Sequence, residues 1–241
     1  CITTQCQVYK PTNVKNERIQ KAVKDTSNII ITYGNKPINS FYHGSNGGIS
    51  AKASESWKID DEPYLNSIID GSISLKKSIK NSIRNKSELK QFLEFDKKDF
   101  YGSNHSLFRW NKKISSKIIL DNLMKKKLID TSDQVLKIKV VERGLSGRVT
   151  KLEIKLKSSD QSIFLFKDDI RRIFSFLPSN LFIINKLNDN LWIFRGGGFG
   201  HGVGLSQSGA IEMAELGFTY EQILNHYYQG TKLQKIKILS Q

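Results

Sequence analysis

Arg195-Gly-Gly-Gly-Phe-Gly-His-Gly-Val-Gly204 decides the reading of this chain: a strand end becomes a glycine-dense turn and then enters a helix. Its glycines let the backbone take φ > 0 and approach a ligand or a second strand closely. The spacing is not that of a nucleotide site. A phosphate loop needs Gly-Lys-Ser/Thr at its end, and Gly198-Phe-Gly200-His-Gly202 lacks the βαβ setting of the dinucleotide fingerprint. What the turn gathers is polar: His201, Ser206 and Gln207 lie near a helix start, where backbone N–H groups can hold sugar hydroxyls or a carboxylate. A tight strand-to-helix turn of purely structural purpose is the plain alternative.

Downstream, Leu205, Gly209, Ala210, Met213 and Ala214 share one helix side, and Gly217 stops it. Thr219 and Gln222 then have capping-box spacing, Phe218 and Ile223 can staple the start of a second helix, and Gly230 ends it. Upstream, 181–187 and 191–194 read as a strand pair, 167–176 as a short helix, and 135–141, 149–156 and 162–166 as strands with a turn at Gly144 to Gly147. A helix is expected over 118–128. Near the other end, Ile19, Ala22 and Val23 mark a helix capped by Asn16. Ile29 to Tyr33 and Ile38 to His43 flank Gly34-Asn35-Lys36-Pro37 as a hairpin, followed by a flexible Ser45-Asn46-Gly47-Gly48 loop. Residues 71–113 are rich in Lys, Ser and Asn, and despite an aromatic cluster from Phe92 to Trp110 they read as a mobile surface excursion. The sum is an α+β fold in one main domain over 1–241, carrying a polar insertion at about 71–113.

At 241 residues and 38% hydrophobic content, the chain can bury a core. Its formal charge of +15 calls for an anionic partner, but Lys far outnumbers Arg and is scattered, whereas phosphate recognition favours clustered Arg forks. Nucleic acid is therefore not the expected partner. No run of about 20 apolar residues would span a bilayer, and no signal peptide is visible. His43, like His201, stands beside a glycine-rich loop, so the two suggest a shared cleft; His105 and His226 read as ordinary surface or packing residues. Glu55, Asp60, Asp61 and Glu62 read as a solvated acidic turn. Cys1 and Cys6 suit a disulfide, half of a zinc site or two free thiols, since two thiolates alone do not fill a tetrahedral site. No cofactor is required by these readings, and zinc is the one that this pair could serve.

Five ordered motifs carry a resemblance: Thr3-Thr4-Gln5-Cys6-Gln7-Val8-Tyr9; Phe41-Tyr-His-Gly-Ser-Asn-Gly-Gly48; Trp57 with Pro63-Tyr64-Leu65; Ser146-Gly-Arg-Val149; and Gly198-Phe-Gly-His-Gly-Val-Gly-Leu-Ser-Gln207 through His226-Tyr-Tyr-Gln-Gly-Thr231. In this order the chain resembles the stage II sporulation protein D family, also called the amidase enhancer family, with only about Gly71 to Leu107 uncovered. The resemblance implies an exported or membrane-anchored protein of the bacterial cell envelope. It further implies a lytic transglycosylase acting on peptidoglycan glycan strands, preferring strands stripped by a partner N-acetylmuramoyl-L-alanine amidase; a sister branch enhances that amidase without cutting glycan. The family's catalytic Glu lies upstream of the Thr3 segment, so the chain reads as N-terminally incomplete and no catalytic residue is assigned within it. His43, Ser45, Gly47, Gly48, His201, Gly202, Ser206 and Gln207 are then expected to face the glycan. Some members hold a metal with Cys and His near the segment matching Cys1 and Cys6, and here Gln5 stands where a His can occur.

Overall fold

The computed structural model describes residues 16–79, 83–130, 133–159 and 161–236. Helix α1 (Glu17–Asp25) starts where the Asn16 side chain accepts from the N–H groups of Arg18 and Ile19. Strand β1 (Ile29–Tyr33) turns through Gly34 and Asn35 into β2 (Lys36–Pro37), pairing Thr32 with Pro37 and Tyr33 with Lys36. A hairpin forms, but its second strand is Lys36–Pro37, within the expected turn, and not Ile38 to His43. The chain leaves the pair at Ile38 because β3 (Tyr42–His43) belongs elsewhere, in a parallel pair with a strand more than 150 residues away. A short helix α2 (Ala53–Ser56) follows the first glycine loop.

The stretch read as a mobile polar excursion is folded and forms part of the core. It contains α3 (Ile73–Ser78), α4 (Lys86–Glu94), a 3-10 turn at Lys97–Asp99 and the start of β4 (Trp110–Ser115). Leu75, Ile83, Leu89, Phe92, Phe100 and Phe108 are buried together with Ile49, Ile69, Leu181 and Ile183. The reason is geometric. Lysines and serines dominate the segment's composition, yet they sit on its outer side, while Leu89 and Phe92 repeat at i, i+3 on the inner face of a helix closed by an Asn85/Glu88 capping box. Arg109 completes the packing: its guanidinium lies 4.3 Å from the Phe108 ring centroid and donates to the carbonyl of Gly47 at 2.8 Å.

Helix α5 (Ser116–Lys125) precedes the antiparallel sheet of β5 (Val135–Arg143), β6 (Val149–Leu156) and β7 (Ser162–Phe166), in that order. Helix α6 (Asp168–Ile173) leads to β8 (Phe182–Asn188) and β9 (Leu191–Gly196), which joins β4 in a second sheet of order β4-β9-β8. Strand β10 (Leu205–Ser206), α7 (Gln207–Glu215), α8 (Tyr220–Tyr227) and β11 (Lys232–Lys235) close the order, and β11 flanks β1. The content is α+β. One apolar cluster lies between the β5-β6-β7 and β4-β9-β8 sheets and helices α5 and α6, and another lies under α7 and α8 around Ala51, Ala53 and Val203. No helix among the described residues is long and apolar enough to cross a membrane.

Candidate functional site

The two glycine-rich loops foretold by sequence are one structural unit. Tyr42 and His43 of β3 run parallel to Leu205 and Ser206 of β10. Ser45 and Phe199 exchange backbone hydrogen bonds of 3.0 and 2.7 Å, and the Ala51 N–H donates to the Gly202 carbonyl at 2.7 Å. Glycine is required here by space as well as by conformation. Gly47 and Gly198 have φ of +68° and +86°, and a Cβ at Gly47 would stand 2.6 Å from the backbone of Gly197 and Gly198.

Both histidines brace a single residue, Val203. His43 Nδ1 lies 3.1 Å from the Val203 carbonyl, so that nitrogen carries the proton and donates. The Val203 N–H donates to His201 Nδ1 at 3.0 Å, which places the His201 proton on Nε2, facing the Tyr42 carbonyl at 2.9 Å. The rings are 5.2 Å apart, and Trp57 packs on His201 at 4.7 Å. Burial drives the His43 pKa well below its usual value, with the His201 and Arg148 charges adding to it. Burial likewise takes His201 down to about 4. His43 is 5% exposed, and its Nε2 is buried without a partner among the described residues.

Beneath them lies Arg148, fully buried, donating to the carbonyls of Ile49 and Asn46 at 3.0 and 2.9 Å. Burial lowers its pKa to about 10, so it keeps its charge at neutral pH. Gly202 must be glycine because a Cβ there would meet the Arg148 guanidinium at 2.2 Å. Glu55 is 5% exposed, in contrast to the solvated turn expected of it. The Ser146 hydroxyl donates to its carboxyl, which ties α2 to the Ser146-Gly-Arg turn. Burial raises the Glu55 pKa, opposed by Ser146 and Arg148. Asp60 and Asp61 are exposed, and Asp61 accepts from the Ser54 N–H at 2.9 Å. The Glu55 carboxyl packs closely on Gly144, where a Cβ would stand 2.2 Å from it.

A second polar cluster lies on the other side of the first loop. Asp70 is wholly buried and accepts from Asn46 Nδ2 at 2.6 Å, from the Tyr227 hydroxyl at 3.0 Å and from His226 Nε2 at 2.8 Å. His226 Nδ1 accepts from the Lys76 ammonium at 3.3 Å. Burial, then Asp70, pushes the Tyr227 pKa far up, so its proton stays on the hydroxyl. Sequence reading treated His226 as a packing residue and passed over Asp70. The available signal was slight: an acid directly after Ile68-Ile69 and before Gly71.

Of the eight residues expected to face a glycan, Gln207 is exposed and His201 partly so, while His43, Ser45, Gly47, Gly48, Gly202 and Ser206 are buried. Ser206 caps α7, its hydroxyl accepting from the Gly209 N–H at 3.4 Å. What the loops present outward is aromatic and amide: Phe199, 46% exposed and stacked with His105 at 6.1 Å, Tyr42, and Gln207. Cys1 and Cys6 lie outside the described residues, and no group of three or more His, Cys, Asp or Glu among the described residues is placed to hold a metal.

Residues 51–204 match the family model described as "Domain of unknown function (DUF8618)", and the chain belongs to that family. It also fits the stage II sporulation protein D and amidase enhancer family indicated by its motifs. It is 26% identical to the amidase enhancer of Bacillus subtilis (strain 168) over 96% of this chain and 34% of that protein. It is 27% identical to stage II sporulation protein D of the same organism over 92% of this chain and 52% of that protein. For stage II sporulation protein D of Bacillus amyloliquefaciens the figures are 26%, 97% and 59%. The chain thus spans about a third to three fifths of the length of these relatives.

Proposed function

We propose that this chain is the glycan-binding framework of a bacterial cell-envelope protein acting on peptidoglycan, and that the complete protein is a lytic transglycosylase. The observation that supports this reading is the double-loop unit, which fixes Tyr42, Phe199 and Gln207 as an outward aromatic and amide surface on a rigid backbone. Aromatic faces suit the C–H side of a sugar ring, and an amide suits its hydroxyls. The relatives named stage II sporulation protein D and amidase enhancer support the same setting, with a partner amidase. The buried histidines, serines and glycines then act by positioning the loop backbone.

In the proposed reaction one carboxylic acid, lying upstream of Thr3, protonates the glycosidic oxygen as the bond to the muramic C1 breaks. The resulting carboxylate takes the proton of the muramic 6-hydroxyl while O6 closes on C1, which yields a 1,6-anhydro end without water. Neither Glu55 nor Asp70 is open enough for that role. The test is digestion of peptide-free glycan strands by the full-length protein. Anhydro-muramic ends are the expected product. Binding without cleavage, combined with stimulation of an amidase, would replace the transglycosylase by an enhancer, and absence of binding would overturn the framework itself.

A further inference from the structure

Strand β5 is an open edge. In the sheet of order β5-β6-β7 it is bonded on one side only, to β6, and among the described residues Leu136 to Glu142 make no backbone hydrogen bond beyond that pairing. At nine residues it is also the longest strand described. β8 is likewise the outer strand of β4-β9-β8. A groove of about 340 Å³ runs along β5, lined by every residue from Ile138 to Arg143, by Ile184 of β8, and by Arg84 and Lys86 around the start of α4. Successive residues of a strand point to opposite faces, so a groove that touches six in a row follows the strand's side and not one face. Within this stretch the register with β6 shifts twice, between Val140 and Glu142 and between Glu142 and Arg143. Such bulges turn side chains out of the regular alternation.

The groove is strongly cationic. Arg84, Lys86, Lys139 and Arg143 line it against one acid, Glu142, which lies 3.9 Å from Lys151. Glu153, opposite Lys139 on β6, accepts from the Ser162 hydroxyl at 2.6 Å. Lys86 donates to Asn185 Oδ1 at 2.9 Å, which holds it beside β8. Arg143 is half-buried and gives an N–H to the Gly147 carbonyl at 2.7 Å, and it makes no ion pair among the described residues. Burial lowers its pKa to about 10, so the charge persists at neutral pH.

Lysines and bulges on an edge strand also keep strands of the same protein from pairing there. A guard of one sign is selective. It repels a second copy of a chain carrying +15, and it admits a strand of opposite charge. Unpaired N–H and C=O groups suit another backbone, and unpaired cations suit carboxylates. The matching ligand is an extended peptide of alternating acidic and apolar residues, its acids opposite Lys139 and its apolar side toward Ile138 and Ile184.

We propose that β5 is a docking edge for an acidic peptide strand of another protein, which adds to the sheet through backbone hydrogen bonds and is selected by Arg84, Lys86, Lys139 and Arg143. The inference does not rest on the glycan reading, since no residue of the two glycine-rich loops lines this groove.

The test is fluorescence anisotropy of a labelled octapeptide of alternating Glu and Val, titrated with the full-length protein at low salt. It is expected to bind at least about tenfold more tightly than a Lys/Val counterpart. Lys139→Glu and Arg84→Glu, both at exposed positions, should weaken it about tenfold and about fivefold. Two further Glu/Val peptides carry N-methyl groups on alternate residues, one along each edge, with the charge unchanged. At least one of them should bind about tenfold more weakly, because it cannot donate to β5. Hydrogen exchange should show added protection between Leu136 and Glu142 when the parent peptide is bound. No binding of the parent peptide overturns the proposal. Equal binding of the parent and both methylated peptides, or equal affinity for a short poly(glycerol phosphate) chain, makes the edge a plain polyanion surface and overturns it too. So does an undiminished affinity in the folded variants.

Discussion

Two histidine clusters flank the first glycine loop, and they are built in opposite ways. On one side His43 and His201 touch backbone carbonyls and an N–H of Val203, with the buried charge of Arg148 below them. On the other, His226 sits between a buried carboxylate and an ammonium. The first arrangement excludes protons and fixes a backbone. The second carries charge out to the Lys76 ammonium. The same residue type thus serves as a brace or as part of an ionic chain, depending on whether burial brings a carboxylate with it.

The largest effect should come from removing the anchor of the charged side. Asp70→Ala leaves Asn46, Tyr227 and His226 without their acceptor, and a loss of about 3–5 kcal/mol in chemical denaturation is expected. A loss below about 1 kcal/mol would erase the contrast between the clusters. On the braced side, Gly198→Ala forces a Cβ to 2.7 Å from the Ser45 carbonyl at φ +86°, for about 2–4 kcal/mol. The same denaturation midpoint reads that change.

Acid should act chiefly through the brace. Below pH 6.5 the unfolded chain takes up protons at His43 and His201 that the folded chain refuses, so stability should fall as pH drops toward about 4. The slope is about 1.4 kcal/mol per pH unit for each histidine. His201→Gln should flatten the pH profile of stability by one such increment, and an unchanged slope would show that His201 titrates normally. The smallest stability change is expected at the surface. Phe199→Ala should stay within about 1 kcal/mol of the wild type, since the ring is 46% exposed, while weakening glycan binding in a sedimentation assay.

Local chemistry was readable in the sequence. The Thr219/Gln222 capping box starts α8 as expected, and β6 and β7 occupy the stretches foretold by their alternation. Long-range pairing was not. Nothing near Tyr42 announces a parallel partner at Leu205, and β4 reads as polar because Asn111, Lys112 and Lys113 are exposed while Trp110 and Ile114 point inward. The 71–113 segment misled because average composition hides which side of each element is apolar. At the site, the pairing of two His-bearing glycine loops was legible, because glycine density marks close backbone approach. The burial of the loops' polar side chains was not, since the partners of His43, Arg148 and Glu55 come from three separate parts of the chain.

The central claim is that the double-loop unit presents the glycan-binding surface. Hydrogen exchange on the full-length protein, with and without peptide-free glycan strands, addresses it directly. Added protection within 41–48 and 196–207 is the predicted result. Protection confined to the lysine-bearing strands β5 and β6, or no protection anywhere, would contradict it.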